Sequence, residues 1–177
     1  VPFNYFIINF FTFTSFFVFL IKKSNLHKNT KYFFLYGWLF GFGYFITNLY
    51  WISISLTFDE NFKFLIPFAL ILLPAFLSIF YGLITWLFSI FYSRDIVSSL
   101  LIFSILFGTI EFVRGTILTG FPWNLIAFSF SENIYFIQIL SVIGTYAFNL
   151  ICITLFSLPA ILILKKTKKE IIVFCFF

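Results

Sequence analysis

Glu111 and Arg114 stand three residues apart near the end of a strongly apolar run, and Thr119-Gly120-Phe121-Pro122-Trp123-Asn124 follows at once. On a helix, positions i and i+3 share a face, so the acid and the base can pair. Ionisable groups inside a membrane helix are expensive and ask for a reason. Two readings stay open. One is a polar site at a membrane surface, with Arg114 meeting a lipid phosphate or carboxylate. The other is a mutual ion pair that neutralises both groups and orients the helix end, within a turn or two of the interface, where charge costs less. In the following segment, Pro122 forces Phe121 out of helical geometry and Gly120 permits a tight turn. Trp123 suits the headgroup level, with an apolar ring body and one N–H to satisfy. Phe121, Pro122 and Trp123 therefore shape a lipid-entry site or form an interfacial anchor that turns the chain; physics alone favours the anchor.

Nothing else in the chain has the spacing of a reactive centre. His27, the single histidine, sits in a basic loop and reads as solvated. Cys152 and Cys175 lie in apolar segments without metal-ligand spacing and read as small hydrophobes. Asn48, Gln138 and Asn149 fall in or near apolar segments, where interhelical hydrogen bonds account for them. There is no Ser/His/Asp set, Cys/His pair, phosphate loop or metal cluster. The expectation is no catalytic residue, no metal and no cofactor within these residues.

The elements that must position Glu111 and Arg114 are membrane helices. The chain has 177 residues, 62% of them hydrophobic and 10% charged, with a mean hydropathy of +1.10. A soluble domain is about a quarter charged, so the solvent here must be lipid. The 33 phenylalanines share AT-rich codons with the abundant Ile, Asn, Lys and Tyr, and lipid-facing Phe is ordinary. A spanning helix needs about 20 apolar residues. The pattern predicts spans over 5–21, 32–56, 64–92, 96–118 and 134–164, with 171–177 as the start of a sixth. The first is read as a retained span rather than a signal peptide, because its charges follow it and no small-residue cleavage site appears. The fold expectation is an all-α polytopic membrane bundle of about five full spans, one domain over 1–177. The third and fifth spans exceed a bilayer, which predicts tilt or protrusion. Pro67, Pro74 and Pro159 are expected to kink their helices, and Gly37 with Gly41 to allow a close helix contact.

The net charge of +5 is carried by clusters between spans, a topology signal rather than a nucleic-acid surface. With 22–31 in the cytoplasm, nine basic residues (Lys22, Lys23, Lys28, Lys31, Arg94, Lys165, Lys166, Lys168 and Lys169) fall inside, and only Lys63 and Arg114 outside. This predicts cytoplasmic 22–31 and 165–170, and periplasmic 57–63 and 119–133.

The stretches Tyr36-Gly-Trp-Leu-Phe-Gly-Phe-Gly-Tyr-Phe45, Asn48-Leu-Tyr-Trp-Ile-Ser53, Glu111-Phe-Val-Arg114-Gly115, Leu118-Thr-Gly-Phe-Pro-Trp-Asn124 and Ile143-Gly144 with Tyr146 resemble apolipoprotein N-acyltransferase. They occur in that family's order, over nearly the whole chain. The resemblance implies a multi-pass protein of the bacterial inner membrane. Its partners would be a phospholipid acyl donor, a diacylglyceryl-cysteine lipoprotein acceptor and the surrounding membrane lipids. In the family the acyl chain passes through a thioester on a cysteine of a periplasmic nitrilase-like domain, whose Glu-Lys-Cys triad supplies base, oxyanion support and nucleophile. That domain follows the membrane helices, and this chain stops before it. No triad residue can be carried over: Cys152 and Cys175 lie in spans, and Glu111 belongs to the membrane motif. The family's first helix is also expected to be missing, since Pro2-Phe3-Asn4-Tyr5 resembles the turn after it. The leading expectation is therefore an acyltransferase membrane domain, inactive alone, with a separate nitrilase-like domain as a further partner. A non-enzymatic remnant binding lipid or a partner uses the same fold; a small transporter would need polar residues or broken helices at midplane, which the spans scarcely offer.

Overall fold

The computed structural model describes residues 6–26, 29–117, 124–130 and 134–164, and every regular element among them is helical. Helix α1 (Phe6–Leu26) is followed by α2 (Thr30–Leu49) and the short α3 (Trp51–Ser55). A 3₁₀ turn, Glu60–Leu65, leads into α4 (Ile66–Phe91), and α5 (Ile96–Thr116) returns beside it. After a second 3₁₀ turn, Ile126–Phe130, come α6 (Ile134–Ile143), α7 (Thr145–Ser157) and α8 (Pro159–Leu164).

Short polar side chains start several of these helices. The carboxylate of Asp95 accepts from the Ser98 N–H at 2.8 Å, and Asn29 caps α2 by accepting from the Lys31 N–H at 3.2 Å. Each satisfies a donor that the first helical turn leaves without a partner.

The helices close into a ring: α2 packs on α4, α4 on α5, α5 on α7, and α7 with α8 on α1. Aromatic contacts join α1 back to α2, where the Phe16 and Phe40 rings stack at 3.8 Å. Phe13, Phe17, Tyr81, Phe88, Phe103 and Phe107 fill the centre, largely edge to face. Such geometry suits the ring quadrupoles. The outside is equally apolar, with Phe11, Leu39, Leu72, Ile105 and Phe112 exposed. That is the surface a lipid solvent selects, and it would be untenable in water.

The α2–α4 contact is the most extensive and depends on missing side chains. A Cβ at Gly37 would run into the Tyr81 carbonyl and the Thr85 hydroxyl, and one at Gly41 would lie 2.8 Å from the Tyr81 Cβ. The close approach expected from Gly37 and Gly41 is thus present, and it lets Thr85 Oγ1 donate to the Phe33 carbonyl at 2.6 Å.

Among the described residues, four helices are long and apolar enough to cross a membrane: 7–26, 63–91, 96–116 and 145–164. Helix α2 has the length, but its tyrosines, Trp38 and glycines lower its hydropathy and keep it out of that set. The expected second span, 32–56, ends earlier, since the chain turns at Tyr50 before α3. The expected fifth span, 134–164, is not one helix. Gly144 adopts φ +83°, a left-handed conformation that glycine tolerates, and divides it into α6 and the α7–α8 pair. Its surplus length is a separate ten-residue helix rather than tilt.

The prolines act differently from one another. Pro67 sits in the first turn of α4, where a missing N–H costs nothing, so it starts a helix instead of kinking one. Pro74 lies inside α4, and Ser78 Oγ donates to its carbonyl. Pro159 opens α8 after the break at Leu158.

Candidate functional site

Helix α5 carries Glu111 and Arg114 on the face it turns toward α2 and α4. Arg114 Nη2 donates to Glu111 Oε2, and the residues are only 2% and 1% exposed. The pair is therefore inside the bundle, not at a solvated helix end. The expectation of a mutual ion pair holds, and the neighbouring helices cover both groups.

The surroundings explain how two charges survive there. The Arg114 guanidinium lies 5.3 Å from the centre of the Phe45 ring, in cation–π range. Tyr44 of α2 and Tyr81 of α4 stack at 5.7 Å, and both hydroxyls sit in the electrostatic field of Glu111 and Arg114. The Tyr81 hydroxyl lies beside the Glu111 carboxylate, and neither Tyr81 Oη nor Glu111 Oε1 has another partner among the described residues. A buried orphaned polar atom costs about 1–3 kcal/mol.

Asn124, the first described residue after Ile117, borders the cluster. Tyr44 Oη donates to the Asn124 carbonyl at 2.9 Å, holding Asn124 against α2. Asn124 adopts φ 58°, the left-handed region that asparagine tolerates better than most residues. Its side-chain Nδ2 is buried with no partner among the described residues. Asn149 of α7 accepts from the Ala127 N–H at 3.0 Å, fixing the 3₁₀ turn from the opposite side. Behind α5, Gly115 leaves room for the Tyr146 hydroxyl where any Cβ would collide.

The structure thus brings together Glu111 and Arg114; Phe121, Pro122 and Trp123 lie outside the described residues, as do His27 and Cys175. Cys152 is wholly buried among apolar side chains. Asn149 makes a contact between elements, as expected, whereas Asn48 bonds back to Tyr44 of its own helix and Gln138 is exposed on α6. Sequence reasoning missed Tyr44, Phe45 and Tyr81. Tyr44 and Phe45 close the glycine-aromatic stretch of α2, a usable signal; Tyr81 had none.

Chemically, the cluster offers a carboxylate, a guanidinium and two phenols in a water-poor setting. No group of three or more His, Cys, Asp or Glu that could hold a metal occurs among the described residues.

Comparison with known proteins accords with this picture. The family described as apolipoprotein N-acyltransferase N-terminal domain matches residues 1–158. The chain is 41% identical over 129 residues to the apolipoprotein N-acyltransferase of Rhizobium etli, covering 72% of this chain and 24% of that protein. Its counterpart in Rickettsia prowazekii is 39% identical over 150 residues, covering 84% of this chain and 29% of that protein. The one from Rhodopseudomonas palustris is 41% identical over 130 residues, 72% of this chain and 24% of that protein. The chain thus spans about a quarter of the length of these relatives. No solved structure matches it. A helical membrane bundle, a buried Glu-x-x-Arg pair and a match over 158 residues lead to one assignment: this chain belongs to the apolipoprotein N-acyltransferase family, through its N-terminal domain.

Proposed function

We propose that residues 1–177 form the membrane domain of an apolipoprotein N-acyltransferase. It presents a phospholipid acyl donor and a diacylglyceryl-cysteine acceptor to a nitrilase-like catalytic domain on the periplasmic side of the inner membrane. The observation that carries this reading is the buried Glu111–Arg114 pair with the unsatisfied polar atoms around it. Burying charge costs several kcal/mol per ion, and a bundle needing only stability would fill the site with apolar side chains. Arg114 supplies a forked donor suited to a phosphate or carbonyl oxygen. Glu111 holds that fork in place and can accept from an amine. By residue type, Phe121, Pro122 and Trp123 suit a lipid-entry edge. The basic residues at 22–31, Arg94 and 165–170 support a cytoplasmic position for those segments.

A chimera tests this: residues 1–158 replace the matching domain of the complete Rickettsia prowazekii relative. The expected result is N-acylation of a diacylglyceryl lipopeptide, reduced at least about tenfold by Arg114→Gln, the loss of one charge-assisted hydrogen bond. A folded chimera without activity, or full activity in Arg114→Gln, would overturn the reading. Residues 1–177 expressed alone insert in the membrane without forming a thioester or transferring an acyl chain.

A further inference from the structure

The end of the bundle opposite the Glu111 cluster holds a cavity of about 680 Å³. Its walls include Ser24 and Asn25 at the end of α1, Phe33 near the start of α2, Ile90 at the end of α4, and Tyr92 and Arg94 just beyond. Asp95 and Glu111 are sixteen positions apart on one helix, so roughly 24 Å separates this site from the ion pair. Its volume lies in the usual range for small-molecule sites, about 300–1,000 Å³.

Three observations identify the ligand. The first is charge. Lys22, Lys23, Lys31 and Arg94 gather at these helix ends, and the acid among the described residues there, Asp95, is committed to capping α5 through Ser98. Lys23 leans over the Phe19 ring, its ammonium 5.7 Å from the centre. Arg94 is exposed and makes no ion pair with any described carboxylate, yet it lies close enough to act on the Tyr92 phenol. Burial pushes that phenol above its ordinary value while Arg94 pulls it down.

The second is a built polar wall. Tyr92 Oη donates to Asn25 Oδ1 at 2.9 Å, tying the end of α4 to the end of α1, while Ser24 Oγ is buried with no partner among the described residues. The third is the mixed lining. Phe33 and Ile90 put apolar surface beside those polar groups, which suits an amphiphile and not a free inorganic ion. The cavity also opens where spanning helices end, the level of lipid headgroups.

We propose that this cavity binds the phosphate of an anionic glycerophospholipid. Arg94 takes the phosphate oxygens, Ser24 donates to one of them, and Phe33 and Ile90 pack against the glycerol and first methylenes. The site is independent of the acyltransfer reading, since it shares no residue with the Glu111 cluster.

The test uses the whole chain purified in detergent, with retained phosphatidylglycerol and phosphatidylcholine read by native mass spectrometry. Phosphatidylglycerol should be retained over phosphatidylcholine, and Arg94→Gln should lower its retention about tenfold, as for one charge-assisted contact. Lys63→Gln, the same charge change at the other end, should leave retention unchanged. Should Arg94→Gln fail to fold, Ser89→Leu serves instead: Ser89 of α4 also lines the cavity, so the larger side chain fills it while keeping Arg94, and it should also release the lipid. Equal retention of the two lipids, equal effects of Arg94→Gln and Lys63→Gln, or retention undiminished in Ser89→Leu would overturn the proposal. So would displacement by inorganic phosphate at millimolar concentration, which would make the cavity a small-anion site.

Discussion

The two ends of this bundle handle arginine in opposite ways. Arg114 is enclosed: its charge is met by Glu111 three residues earlier, and Phe45 lies against the guanidinium. Arg94 is exposed beside an open cavity and faces a phenol instead of a carboxylate. An enclosed charge must be paired, because its desolvation is not recovered otherwise; an exposed one at a helix end keeps its water and stays available. The first kind of arginine is thus part of the fold's internal balance, and the second can be exchanged at little cost to stability.

The sharpest way to break this contrast is to unpair the enclosed charge. Glu111→Ala leaves Arg114 buried without its carboxylate and should destabilise the chain by about 3–5 kcal/mol. Combining Glu111→Leu with Arg114→Leu should recover most of that loss, since a well-packed apolar pair avoids the desolvation penalty. Arg94→Ala should change stability by less than about 1 kcal/mol, as for an exposed charge. Thermal unfolding in detergent would compare the variants. If the double replacement proved no better than Glu111→Ala, the pair would not be the coupled unit the geometry indicates.

Between the two ends runs the α2–α4 seam, which holds them in register. Gly37 and Gly41 face Tyr81, Thr85 and Ser78 across it, while Gly43 meets nothing within 4 Å. Gly37→Ala must push against the Tyr81 backbone and should cost about 1–3 kcal/mol, the range for overpacking. Gly43→Ala should be neutral or stabilising by up to about 1 kcal/mol, since alanine is the better helix former. A Gly37→Ala variant that unfolds no earlier than Gly43→Ala would show that the helices can part without loss. The Glu111 cluster would then not depend on the seam.

How much of this was legible beforehand differs between the scaffold and the site. Membrane helices were readable because composition and span length leave few alternatives, and so was the Gly37–Gly41 contact, whose spacing marks one helix face. The division of the expected fifth span was not, because Gly144 interrupts an apolar run without changing its hydropathy, and only its φ of +83° shows that the helix stops. In the site, Glu111 and Arg114 stood out as charges in an apolar run. Tyr81 did not, being one aromatic in a chain that is 26% aromatic. Its role comes from packing between α2 and α5, a tertiary relation that no local pattern carries. The depth of the ion pair was hidden for the same reason: sequence places it near a helix end, and the neighbouring helices decide that the end is covered.

The smallest expected effect lies at the open end, where Asp95 begins α5. Its carboxylate accepts from the Ser98 hydroxyl at 2.6 Å and from the Ser98 N–H at 2.8 Å, and these bonds hold its pKa below the ordinary 3.8. A carboxyl whose folded pKa is depressed stabilises the fold fully above its unfolded value and loses that contribution as pH falls through the folded one. Asp95→Ala should therefore cost about 1 kcal/mol at neutral pH, the usual worth of an N-cap. The gap between wild type and variant should persist down to about pH 5 and narrow below about pH 4, near the unfolded carboxyl value. Asp95 is almost fully solvated, so screening keeps the charge-dependent part small and salt should reduce it further. Unfolding midpoints of the two proteins between pH 3 and 7 would measure this. A gap that stayed constant to pH 3 would mean that the cap works through geometry alone, and that charge at the open end contributes nothing to the fold.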